Sequence, residues 1–333
     1  MILPYTQCAE QQERKGTRTQ VPTAQCMNTV IPTLFADDFK TFLPLPKTLD
    51  PPFEEALRHV LDNPGSLVRP RIVYRVATAY GLEEAAAKNL AFALEYFHTA
   101  SLVFDDLPCM DNASERRGVP SVHFAFGESG AILTALALIN RAYALTWRAV
   151  SVSSSQAQSC ALEYVERCLG VEGLLNGQSL DLHYATLPHN RQTTERIARG
   201  KTVSLIRLTL VLPAMLGSGS VREIQLMERI ALYWGLAYQM VDDLKDVLDS
   251  AHEARKTTAR DILLDRPNAA SAMGIPGAVE RLTRFIHLGD RTLQQLLRSR
   301  PSLSFLGKLR SDLEEELARV TGSVLGIPVG ERL

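Results

Sequence analysis

Three carboxylates, Asp105, Asp106 and Asp111, lie in the stretch SLVFDDLPCMDN (residues 101–112), directly behind an apolar run. A second set, Asp242, Asp243 and Asp246, closes another apolar segment in YQMVDDLKDVL. Like charges this close repel one another and burial raises the cost further, so the pattern signals either a solvated turn or a bound cation. On a helix Asp242 and Asp246 are about 40° apart and share a face. Asp105 and Asp111 would be about 240° apart on a straight helix. Pro108 cannot continue one, because its ring clashes with the carbonyl of Phe104, and a bend there returns Asp111 toward Asp105. All-oxygen sets of this kind suit hard cations such as Mg²⁺, which keeps much of its water shell and completes it with phosphate oxygens. Two such sets, each behind an apolar helix and near basic residues, favour the cation over two coincident solvated turns.

The elements that must position these groups read as helices. LEEAAAKNLAFALEYFHTASLVF, GAILTALALINRAYALTWRAV and REIQLMERIALYWGLAYQMVDDLKDVL are rich in good helix formers with apolar residues at helical spacing. The breaks between helices carry Gly, Pro and Ser (GESG, LPHN, LGSGS, DRPN, MGIPG), and no stretch alternates convincingly at period two. Pro4, Pro22, Pro32, Pro44 and Pro46 crowd the start of the chain, so residues 1–46 read as an irregular, proline-rich lead-in. With no internal repeat and no mid-chain linker, residues 47–333 read as a single all-α domain. Its most apolar helices, such as residues 131–149, are expected to be buried by others.

Composition narrows the function. The chain has 333 residues, 46% of them hydrophobic, enough for a large core, and a formal net charge of −1, which gives no footing for nucleic acid. Its longest apolar stretches, such as LTLVLPAMLG (208–217), are too short to span a membrane, and the N-terminus lacks the apolar core of a secretory signal. Five scattered cysteines form no CxxC and read as reduced thiols, pointing to a cytoplasmic protein.

The sequence resembles the trans-isoprenyl diphosphate synthases, the polyprenyl synthetase family that includes farnesyl and geranylgeranyl diphosphate synthases. DDLPCMDNASERRGVP is similar to that family's first motif, DDxxxxD followed by RRGxP, and GLAYQMVDDLKDV to its second, GxxxQxxDDxxD. GLLNGQSLDL resembles its GGQxxD helix and GKTVSLI its KT element, and the match runs in order from about residue 53 to 266. The resemblance implies a single-domain helical bundle of the isoprenoid synthase type around a deep central active-site cavity, usually a homodimer. It implies that Asp105, Asp111 and Asp242 bind three Mg²⁺ ions, supported by Asp106, Asp243 and Asp246. It further implies that Arg116, Lys201 and Lys256 contact an allylic prenyl diphosphate, with Thr202 and Gln239 near the developing cation and Gln178 and Asp181 lining the same helix. Arg69, His98 and Arg117 fall on positions that hold isopentenyl diphosphate.

The departures concentrate on that second substrate. The usual GKRxRP is GSLVRP here: Arg69 remains, but Ser66 takes the lysine position and Leu67 that of the first arginine. One lost charge-assisted contact, about 1.5–3 kcal/mol, corresponds to about a ten- to hundredfold loss of affinity. Milder changes are TALAL (134–138) for GDAL and RKTTARD (255–261) without its usual glycines. Three functions follow: a prenyltransferase condensing an allylic diphosphate with isopentenyl diphosphate to about C15–C20, for which the small Ala100 and Ser101 leave room; a terpene synthase that ionises a finished prenyl diphosphate; or a non-catalytic partner subunit, which would not need six placed carboxylates.

Overall fold

The computed structural model describes residues 31–253 and 266–325, and within them the chain is all-α apart from one two-stranded ribbon. Its residues cluster into two compact units, each described by itself: residues up to 161 with 213–220, and residues 162–212 with those from 221 onward. The sequence offers no linker at these points. One cut falls inside the helix Ser155–Leu169, and another at Pro213, which sits within the helix Ser204–Leu216.

In the first unit, α1 (Ile31–Thr41), α2 (Pro51–Asp62), α3 (Val68–Ala79) and α4 (Glu84–Asp105) lead to the ribbon β1 (Glu115–Arg116) and β2 (Val119–Pro120), followed by α5 (Val122–Val150). Helix α1 corrects the expectation of an irregular lead-in over its whole length. Pro32 is the second residue of the helix, where a missing N–H costs nothing. Phe35 and Phe39 are buried, Phe39 packs on Tyr96 with ring centroids 5.0 Å apart, and the Tyr96 hydroxyl donates to the Phe39 carbonyl. Helix α4 is buried on nearly every side, from Leu90 through Phe97 to Val103, and packs between α3 and α5. That burial fixes the position of Asp105 at its last residue.

Helix α5 departs from the expectation of burial. It breaks at Gly127 (φ +75°), and Ile132, Leu133, Leu136, Tyr143 and Trp147 form an exposed apolar stripe along it. It is long and apolar enough by composition to cross a membrane, with 28% of its most apolar window buried.

The second unit carries most of α6 (Ser155–Leu169), then α7 (Leu174–Leu182), α8 (Arg191–Ala198), a π-helical turn (Arg199–Val203), α9 (Ser204–Leu216) up to Leu212, α10 (Val221–Glu253), α11 (Ala269–Met273), α12 (Ile275–Ser299) and α13 (Leu306–Leu325). Helix α12 buries Ala278, Leu282, Phe285, Ile286, Gly289, Leu293 and Leu296, a stripe at helical spacing laid against α10. Cys109 and Cys168 are free, whereas Cys160 is disulfide-bonded, which corrects the expectation of reduced thiols throughout. Spacing could not reveal that bond, because the tertiary fold decides which sulfurs meet.

Candidate active site

The first acidic motif is built by the end of α4 and a loop that turns back on it. Pro108 stops the helix, and the chain recoils so that the Asp111 N–H donates to the Asp105 carbonyl at 2.9 Å and the Ala113 N–H to that of Asp106 at 3.1 Å. The expected bend is therefore present, and it keeps Asp105 and Asp111 side by side at the backbone, both half-buried. Asp106 differs: it is 3% exposed, and Arg116 Nε reaches its two carboxylate oxygens at 3.0 and 3.2 Å. The ion pair with Asp106 raises the pKa of Arg116 further.

Arg116 is aimed by the ribbon. Glu115 pairs with Pro120 and Arg116 with Val119, leaving Arg117 and Gly118 as a two-residue loop. Both have positive φ, +57° and +79°, the conformation a tight hairpin loop demands and glycine adopts without strain. RRGVP is thus a hairpin.

The loop also sends Arg117 back toward α2 and α3. Its guanidinium fills the space beside Gly65, where a Cβ would lie 2.5 Å from Cζ, and it donates to the Asn63 carbonyl at 3.3 Å. Near it are Arg69, His98 and Glu95. Glu95 is 2% exposed and lies 3.5 Å from Arg69. Burial lowers the pKa of His98 to about 2, with Arg69, Arg117 and Arg116 adding to the effect, so the imidazole is neutral at physiological pH. Leu67 is buried with φ +50°, which makes the first-arginine position a core residue, while Ser66 is exposed.

In the second unit the KT element lies on the π-helical turn, a distortion common at functional sites. Gly177 of α7 and Gly200 let the two backbones touch: a Cβ on Gly177 would lie 2.3 Å from the Lys201 nitrogen. This approach brings Lys201 Nζ to 2.9 Å from the buried Asp181, with Arg266 3.7 Å from the same oxygen. Gln178 is half-buried on the same helix.

From the neighbouring Thr202 a hydrogen-bond chain crosses to α10. The Thr202 hydroxyl donates to Gln239 Oε1 at 2.5 Å, and Gln239 Nε2 donates to Asp243 Oδ1 at 2.9 Å. The other Asp243 oxygen accepts from the Ala269 N–H at 2.8 Å, and Asn268 donates to the Asp243 carbonyl at 2.8 Å. Asp243 is 5% exposed and fully engaged; Asp242 is half-buried and Asp246 exposed. Burial raises the pKa of Asp242 to about 6, with Lys245 opposing and Glu316 adding to the shift.

The candidate residues therefore fall into three groups, each within one unit: Asp105, Asp106, Asp111 and Arg116; Arg69, His98 and Arg117; and Gln178, Lys201, Thr202, Gln239, Asp242, Asp243 and Asp246. Lys256 lies outside the described residues. Glu95, Arg266, Asn268 and Ala269 were not singled out in the sequence. Glu95 could have been, because it is three residues before His98 and so shares its face of α4. Asn268 and Ala269 act through backbone groups or from a loop, where side-chain type carries little signal.

Among the described residues no three His, Cys, Asp or Glu side chains converge closely enough to hold an ion by themselves. The donors nevertheless fit Mg²⁺. They are hard oxygens, and Asp242 is a half-buried carboxylate whose charge a cation would stabilise. An ion that keeps its waters and takes phosphate oxygens does not need a closed protein cage.

Residues 50–284 match the model of the polyprenyl synthetase family. A putative geranylgeranyl pyrophosphate synthase 8, chloroplastic, of Arabidopsis thaliana is 36% identical over 238 residues, 69% of this chain and 66% of the relative, so the chain spans slightly less than two thirds of that protein. Among solved structures, a geranyltranstransferase of Thermotoga maritima is similar at TM-score 0.69 and 26% identity, over 84% of this chain and 96% of the other. A geranyltransferase of Helicobacter pylori, complexed with magnesium and isoprenyl diphosphate, shares the fold at TM-score 0.67 and 23% identity, over 92% and 99%.

Proposed function

The chain belongs to the polyprenyl synthetase family, and we propose that it condenses an allylic prenyl diphosphate head to tail with isopentenyl diphosphate, giving a prenyl diphosphate of about C15–C20. The observation that carries this reading is the basic group in the first unit. Arg69, Arg117 and a neutral His98 gather around Glu95. A protein that only ionised a finished diphosphate would have no use for it. The single loss is Ser66, since Leu67 has become a packing residue.

Asp105, Asp111 and Asp242 would hold Mg²⁺, three ions in all, while Asp106, Asp243 and Asp246 keep them in position. Mg²⁺, when bound, supplies electrophilic stabilisation of the departing diphosphate. Arg116, Lys201 and Lys256 bind the same diphosphate. As the C–O bond breaks, the positive charge that develops on the allylic carbon faces the oxygens of Thr202 and Gln239. Arg69, His98 and Arg117 orient isopentenyl diphosphate so that its double bond attacks that carbon. The proton then lost from the isopentenyl unit leaves with the released diphosphate.

Ser66 favours the second reading, a terpene synthase. Product analysis by mass spectrometry decides: purified protein with Mg²⁺ and C5 to C20 allylic diphosphates, with and without isopentenyl diphosphate. Longer diphosphates formed only with isopentenyl diphosphate establish the condensation; hydrocarbon or alcohol released without it establishes the terpene synthase. In the first case Ser66→Lys lowers the KM for isopentenyl diphosphate by about ten- to hundredfold. A protein inert alone but altering another synthase would be a partner subunit.

Two further expectations belong to this proposal. The exposed stripe of α5 would be covered by a second copy of the chain, because a face this apolar is unfavourable in water; sedimentation of the purified protein checks it. A cytoplasmic location is checked by fractionation, since Cys160 is disulfide-bonded although Cys109 and Cys168 are free and the Arabidopsis relative is named chloroplastic.

A further inference from the structure

Glu95 has no part in the chemistry described so far, yet its surroundings are unusual. It is 2% exposed in the middle of α4, and its Oε2 has no hydrogen-bond partner. The 3.5 Å separation from Arg69 Nη1 pairs the charges without a well-formed hydrogen bond. The charged groups that face it are Arg69 from α3 and Arg117 from the hairpin loop; α5, packed on the other side, adds none. Arg116 stands behind Arg117 and is committed to Asp106, and His98, one turn along α4, is neutral. Glu95 is therefore an acidic side chain set in a group whose charged members are the cations expected to bind a diphosphate.

We propose that Glu95 is the resident counter-ion of the isopentenyl diphosphate site: it holds Arg69 between turnovers, and it takes up a proton when the diphosphate claims Arg69 and Arg117. The proposal rests on the condensation reading above. Its physical basis is competition. Two guanidiniums can satisfy a buried carboxylate or a polyanion, but a buried carboxylate left beside a polyanion, with its cations turned away, is strongly disfavoured as the charged form. Burial already favours the neutral form of Glu95, and only Arg69 and Arg117 oppose it. The proton comes from solvent and returns to it when the ligand leaves, so the cycle balances. The same exchange would keep Arg69 extended and ready, which makes Glu95 a positioning residue and not a catalytic one.

Calorimetry tests this directly. Isopentenyl diphosphate is titrated into the full chain with EDTA present, which removes metal-dependent binding at the aspartates. The titration is run near pH 8, where the ligand's own phosphate protons are largely gone, in buffers of different ionisation enthalpy. The wild-type heat is expected to vary with the buffer, reporting uptake of up to one proton, and its Kd to rise with pH by up to about tenfold per unit. Glu95→Gln is expected to bind with buffer-independent heat and a flatter pH profile, while Glu95→Asp keeps the dependence. Wild-type binding with buffer-independent heat overturns the counter-ion role and leaves the condensation reading intact. So does a dependence that survives in Glu95→Gln. If Glu95→Gln fails to fold, the wild-type buffer series and Glu95→Asp decide. No binding by either wild type or Ser66→Lys would remove the second-substrate site, and the role of Glu95 with it.

Discussion

Asp106 and Asp243 hold the same place in their motifs, the second of two adjacent aspartates, and both are buried; the partners that hold them differ in kind. Asp106 is held by a cation, Arg116, reaching both of its oxygens. Asp243 is held by neutral dipoles: the Gln239 amide on one oxygen and the Ala269 N–H on the other. In each case the first aspartate of the pair remains nearer to solvent. An adjacent pair on a helix cannot put both carboxylates on one face, because successive residues are about 100° apart. One is directed to a ligand and the other must be satisfied by the protein. The first motif does this with charge and so is sensitive to loss of its partner. The second distributes the task over a chain from Thr202 to Asn268, which couples it to the KT element.

The sharpest break of this comparison is between the two members of each pair. Asp105→Asn and Asp242→Asn should each lower kcat by about 10²–10³, the scale for removing one element of transition-state charge stabilisation, with little change in melting temperature. Asp106→Asn and Asp243→Asn should lower stability as well, so activity and melting curves measured together separate the two classes. Next in size, Arg116→Leu strands a buried carboxylate. Because the Arg116 side chain is 38% exposed, the cost should be about 2–3 kcal/mol, below the range for a fully buried pair. Gln239→Leu removes the bond accepted from Thr202 and the one donated to Asp243, and because the Ala269 N–H still holds the other Asp243 oxygen it should cost about 1–2 kcal/mol in denaturant titration. Equal losses for the two would mean that cation and dipole anchoring do not differ. A last effect, read in the pH dependence of stability, concerns the basic group beside the first motif. His98 has its folded pKa depressed from 6.5 to about 2, so the unfolded chain binds the extra proton between those values. The stability it contributes is fully present above about pH 6.5 and is lost as pH falls, by up to about 1.4 kcal/mol per unit. His98→Gln should flatten that part of the stability–pH curve.

The helical fold and the aspartates could be read from residue type and spacing, because apolar periodicity and acidic clusters are local signals. Pro108 announced the recoil of the first loop for the same reason: its ring excludes a helix whatever surrounds it. The sequence by itself therefore determined an all-α chain with two oxygen-rich motifs and an altered GKRxRP segment. Tertiary structure decided the rest. It made Ile31–Thr41 a helix with Phe35 and Phe39 in the core, although its prolines argued for an irregular lead-in. It left one face of α5 uncovered despite a composition suited to burial. It committed Asp106 and Asp243 to the protein, and it set Glu95 among arginines brought together from α3 and the hairpin loop. These are contacts between segments distant in sequence, and their energy depends on which groups share a buried volume, a quantity no local pattern of residues encodes.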